Sequence, residues 1–183
     1  MFSWFKKKKS EEQESELHYD PSDIQIEDLR KGYLVDFDLQ TWHVVEEYEY
    51  DWGNERFSYE FKLANEFDAC YLSLDEERGE IIPVVCRPVL FSELDATIEE
   101  TLRTTQKPPS TISYKGILYK RQTEKIGYFR NIDSTNWFEY IVWEFVDDTR
   151  KNRFYIEQWD EESFDAFVGV VKEKHAFTNI LPN

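Results

Sequence analysis

Beyond Leu29, hydrophobic and polar residues alternate with a period of two along most of the chain. In WHVVEEYEYDW (42–52) the even positions are Trp42, Val44, Glu46, Tyr48, Tyr50 and Trp52. The odd positions are His43, Val45, Glu47, Glu49 and Asp51. Successive side chains of a strand point to opposite faces, so the spacing predicts a strand with one aromatic face and one largely acidic face. Trp52-Gly53-Asn54 supplies a turn. Phe57, Tyr59, Phe61 and Leu63 then alternate with Ser58, Glu60 and Lys62, and Cys70, Leu72 and Leu74 form a further strand face. Consecutive strands at hairpin spacing predict an antiparallel meander.

FSELDATIEETLRTTQKPP (91–109) breaks this period. Leu94, Ile98 and Leu102 recur every four residues, Ser92 with Asp95 three later reads as an N-cap, and Pro108-Pro109 stops the segment. One helix of about four turns is predicted here. The strand pattern then resumes to the end of the chain. Offset by 84 residues, the two halves share a register without gaps: Gly32 meets Gly116, Val44-Val45 meets Tyr128-Phe129, and Tyr59-Glu60-Phe61 meets Trp143-Glu144-Phe145. This reads as a duplicated β unit. The expected architecture is mainly β, two antiparallel meander units (23–90 and 110–183) joined by a helix and Pro-Pro linker (91–109), packed as a pseudo-two-fold sandwich or barrel. Residues 1–22 read as a flexible tail.

The glutamate of each matched strand points away from its aromatic neighbours. In the first copy that face is polar (Ser58, Glu60, Lys62). In the second it holds Tyr140, Val142, Glu144 and Val146, so this strand is expected to be covered on both sides and Glu144 to need a partner or a raised pKa. If the halves pack about a two-fold, Glu60 and Glu144 approach each other and together attract a cation.

Aromatic residues make up 17% of the 183 residues, an amount that favours strands and argues against disorder. Most are assigned to the core, with Trp52 and Trp137 at turns as the exposed candidates for partner contact. Thirty-eight acidic residues against 22 basic ones give a net charge of −16. Such a field repels nucleic acid and favours a basic protein partner, a polyamine or a metal cation, although acidity also serves solubility alone. The tip MFSWFKKKKS places Phe2, Trp4 and Phe5 before Lys6, Lys7, Lys8 and Lys9. This composition suits weak contact with an anionic membrane surface. No secretory signal or membrane span is read, which leaves the cytoplasm as the expected location.

KGYLVDFDLQTWHVVEEYEYDWG, FSYEFKL and the closing FYIEQWDEESFDAFVG and NILP resemble the bacterial domain-of-unknown-function 4178 family, from about Leu29 to Pro182. These motifs are glycine turns and aromatic strands. The resemblance implies a cytoplasmic bacterial protein, and a gene neighbourhood shared with membrane-remodelling and polyamine-synthase-like proteins, but no catalytic residue.

Chemistry is sparse. The three histidines are far apart, and Cys70 and Cys86 read as core residues, so no metal site is expected. His43 beside Glu47 is read as a cross-strand ion pair. No nucleophile motif or phosphate loop occurs, and no catalytic, cofactor or metal residue is assigned. Three functions remain: a non-enzymatic interaction module with an acidic β surface, acting in a membrane-associated complex; a binder of a small cation through carboxylates flanked by aromatics, Glu60 and Glu144 foremost; and, with least support, a carboxylate enzyme. A homodimer through exposed strand edges is also open.

Overall fold

The computed structural model describes residues 19–20, 23–159 and 163–182. The candidate membrane contacts Phe2, Trp4, Phe5 and Lys6 to Lys9 lie outside these residues. No helix among the described residues is long and apolar enough to cross a membrane.

The first half contains β1 (Leu34–Phe37), β2 (Gln40–Asp51), β3 (Phe57–Ala64), β4 (Ala69–Glu77) and β5 (Glu80–Val89). The helix α1 (Ala96–Thr105) follows. The second half contains β6 (Thr111–Tyr114), β7 (Ile117–Asn131), β8 (Phe138–Val146), β9 (Asn152–Gln158) and β10 (Phe164–Val171), and β11 (Phe177–Leu181) closes the chain. The fold is mainly β and antiparallel with one α-helix, as the alternation predicts.

Eight strands close into a ring. β2 to β5 pair in sequence, β5 pairs with β10, β10 to β7 pair in reverse sequence, and β7 returns to β2. An eight-stranded barrel has an interior just wide enough for side chains to fill. The halves meet at two seams, β2–β7 and β5–β10. β1 extends the sheet from the start of β2, β6 does the same from the start of β7, and β11 lies outside β1.

Strand order therefore agrees between the halves, but the gapless 84-residue register does not hold. β2 carries an extra residue at Val45, between the pairs Val44–Leu63 and Glu46–Lys62. β7 carries one at Gln122, between Arg121–Phe145 and Thr123–Glu144. These bulges are 77 residues apart, whereas the 84-residue register sets Val45 against Phe129. The connections differ in length, two residues between β4 and β5 but five between β9 and β10, so no single offset fits every strand.

The Val45 bulge also corrects the expected single aromatic face of β2, because an inserted residue inverts the alternation beyond it. Trp42 and Val44 point out of the barrel into a core with Phe61, Leu63, Leu72, β1 and β11. Tyr50 points inward, to a third cluster with Val84, Cys86, Tyr140, Val142 and Tyr155. His43 and Glu47 are likewise not a pair: His43 is exposed, while Glu47 is buried and accepts a hydrogen bond from the Lys31 backbone N–H at 2.8 Å.

The second outer core covers β8 and β9. Trp143, Phe145, Phe154 and Ile156 pack beneath Ile98 and Leu102 of α1 and Ile112 of β6. The helix is shorter than expected, ten residues, and its N-cap is Asp95 rather than Ser92. The Asp95 carboxylate accepts from the Thr97 backbone N–H at 2.9 Å, while Ser92 belongs to a preceding 3-10 turn. Asp95 sits one residue before the first helical turn, where a side-chain acceptor satisfies an otherwise unpaired N–H.

Candidate functional site: a carboxylate-lined barrel interior

Small barrels fill their interior with side chains. This interior is unusual in the number of acids it holds. Glu60 projects from β3, Asp75 from β4, Glu144 from β8 and Glu157 from β9, and all four line one cavity of about 40 Å³. That volume holds a few water-sized groups. Among the described residues no three His, Cys, Asp or Glu are grouped to hold a metal ion.

Aromatic rings form much of the wall. Tyr50 and Trp52 stack with planes 4° apart and centroids 5.7 Å apart, and Tyr140 leans on both. The Trp52 indole N–H donates to Ser58 Oγ at 2.8 Å, which fixes the ring. Trp52 has this place because residue 127 is glycine: a Cβ there would lie 2.3 Å from the Asp51 carbonyl oxygen and 3.0 Å from the Trp52 ring.

The tyrosine hydroxyls turn to the acids. Tyr50 donates to Glu60 at 3.3 Å and Tyr155 to Asp75 at 3.1 Å. Burial raises the Glu60 carboxyl to about 7; the Asp75 charge adds to this and the Tyr50 hydrogen bond opposes it. Burial also pushes Glu157 well above the usual carboxylate range, with the Glu60 charge adding and a Tyr140 hydrogen bond opposing. Glu144 is raised by burial and Asp75, against the lowering pull of Lys125, Arg153 and Thr123. Near neutrality the interior thus holds protons that water-exposed carboxyls would have lost.

Two cations face this array. Arg153 is 2% exposed. Its Nη2 lies 2.7 Å from Glu77 Oε1 and its Nε 3.2 Å from Glu144 Oε1, the latter a charge contact outside hydrogen-bonding geometry. Lys125 sits on β7 opposite Val142, with its ammonium 5.5 Å from the centre of the Trp52 ring. Beside it lies a hollow of about 570 Å³ that shares Trp52, Ser58, Asp75 and Lys125 with the cavity and has Glu55, Glu76 and Glu124 on its walls.

The structure places Glu60, Glu144 and Trp52 on one cavity, and Trp52 lines the barrel rather than an exposed turn. Trp137 is elsewhere. It is 38% exposed, with the Arg130 guanidinium 4.8 Å above its ring. Asp75, Glu157 and Lys125 were not singled out from sequence, because each reads as an ordinary polar position of an alternating strand. Glu157 carried a usable signal: like Glu144, it interrupts a strand, RFYIEQW, that is apolar on both faces.

A family model described as "Domain of unknown function (DUF4178)" matches residues 30–174. An uncharacterised protein of Aquifex aeolicus (strain VF5) is 28% identical over 180 residues, covering 96% of this chain and 93% of that protein. No solved structure matches.

Proposed function

The chain belongs to the domain-of-unknown-function 4178 family, and from that premise we propose that its barrel binds a small organic cation of the linear-amine class. The observation that carries this reading is the enclosure of Glu60, Asp75, Glu144 and Glu157 around one aromatic-walled cavity. Buried carboxylates destabilise a fold unless they are paired, and a core of this size would tolerate apolar replacements. An ammonium group supplies the missing positive charge and offers donors to the acids, and the tryptophan and tyrosine faces add cation–π attraction. The acid-lined hollow beside Trp52 draws the same charge toward the cavity.

Calorimetric titration with 1,4-diaminobutane and spermidine tests this reading. Binding is expected in the wild-type protein, and Glu60→Gln/Glu157→Gln should weaken it by about tenfold or more through loss of two charge-assisted contacts. No heat with either amine, or equal affinity in the double variant, would remove the interior from the binding site.

A second reading, protein docking, draws on the outer wall of β7 and β8. Ile126 (66% exposed) and Tyr128 (49% exposed) stand side by side there above a groove of about 660 Å³ with Asp51 and Glu139 on its rim. Exposed apolar surface rimmed by acids suits a basic, partly apolar protein segment. Ile126→Ser/Tyr128→Ser should release such a partner in pull-downs from the native host, and partners retained unchanged would exclude this face.

A further inference from the structure

Lys125 is the one cavity-lining residue with an ammonium group, and its position is unusual for a lysine among acids. Glu60, Asp75, Glu144 and Glu157 face it from within, and Glu55, Glu76 and Glu124 from the hollow, where Arg56 is the other basic residue. Yet among the described residues no carboxylate closes a salt bridge with Lys125, and its charge rests over the Trp52 ring instead. Trp52 cannot turn away, because it is stacked on Tyr50, tied to Ser58 and backed by Gly127. The side chain of Lys125 is exposed and long enough to swing outward.

We propose that Lys125 is a tethered occupant of the outer cation position, displaced when a linear diamine enters, and that it thereby sets the affinity for diamines relative to monoamines. This rests on the reading of the interior as an ammonium site. A monoamine can place its single charge among the inner acids and leave Lys125 over Trp52. A diamine also presents a second ammonium to the Trp52 face and the acids of the hollow, and gains that contact only by moving Lys125 aside. The lysine therefore opposes the ligand twice, by occupying the aromatic face and by repelling a like charge a few ångströms away.

The test is calorimetry on the full chain, comparing wild type with Lys125→Met, Lys125→Gln and Lys125→Arg, with 1,4-diaminobutane and butylamine as probes. Both neutral variants should bind the diamine about tenfold or more tightly than wild type, since a nearby like charge is removed. Their gain for butylamine should be smaller, and Lys125→Arg should stay near wild type. A second readout follows Glu144 by carbon NMR. Its titration midpoint should rise in Lys125→Met, because a lowering charge has gone, and a lysine that only packed would leave it unmoved. Wild-type binding with unchanged or weaker binding in both neutral variants would overturn the role of Lys125 alone. Absence of binding in every variant would overturn the ammonium site and this inference together. Binding by the neutral variants alone would support both.

Discussion

Replacing Arg153 by methionine is expected to lower the unfolding free energy by about 3–5 kcal/mol, the range seen when one partner of a buried ion pair is removed. Methionine keeps much of the packing, so the loss isolates the charge. Arg153 serves Glu77 and Glu144 together, and its Nη1 also donates to the Arg150 carbonyl at 2.7 Å. Without it, Glu144 keeps a hydrogen bond from Thr123 at 3.1 Å and feels only Lys125 as a cation. Glu77 is better placed, being 36% exposed and still paired with Arg150. The penalty should therefore come chiefly from Glu144, and Glu144→Gln added to Arg153→Met should recover a measurable part of it. Urea denaturation at pH 7 reads both effects. A cost below about 1 kcal/mol would show that water reaches this end of the barrel and screens the pair.

The second large effect is one of pH. The Glu60 carboxyl titrates at about 7 in the fold against 4.5 for its ordinary value. Between these values the folded chain retains a proton that the unfolded chain has lost. The Glu60 contribution to stability is therefore fully present at and below 4.5, declines as pH rises toward 7, and is lost above. The shift corresponds to about 3 kcal/mol. Glu60→Gln cannot ionise and still accepts the Tyr50 hydroxyl. It should match wild type near pH 4.5 and exceed it at pH 8 by an amount of that order. Glu157 titrates in both proteins, and Glu60→Gln also removes the Glu60 charge that helps raise it, so the difference between the two curves reports the Glu60–Glu157 pair. Parallel stability curves from pH 5 to 8 would mean that Glu60 is solvated like a surface acid.

Much of this architecture is legible in the residues. The alternation through Phe57, Tyr59, Phe61 and Leu63 marks β3, the four-residue spacing of Leu94, Ile98 and Leu102 marks the helix, and the apolar surroundings of Glu144 mark a buried acid. What escapes sequence reasoning has a common physical origin. A strand pattern states that two faces differ, but not which one lines a barrel. In most sheets the polar face meets water, so Ser73 and Asp75 read as solvent positions, whereas here they face the interior. The bulge at Val45 adds to the ambiguity. It turns one aromatic face into two environments, and no glycine or proline beside Val45 announces it. The expected approach of Glu60 to Glu144 rests on a register that the strands do not keep. Both acids nonetheless face the cavity, because each lies on the inward side of its own strand.

The most direct test of an ammonium site among partly protonated carboxyls counts protons. Titration of the wild-type protein with 1,4-diaminobutane at pH 7, in two buffers of different ionisation heat, gives the number released per ligand. Burial raises Glu60 to about 7 and holds Glu157 above the usual carboxylate range, so the pair retains protons near neutrality. A bound cation favours the ionised form of both. Binding accompanied by net proton release is the expected result. Binding with no proton release, or no binding at all, would contradict the placement of the ligand between Glu60 and Glu157.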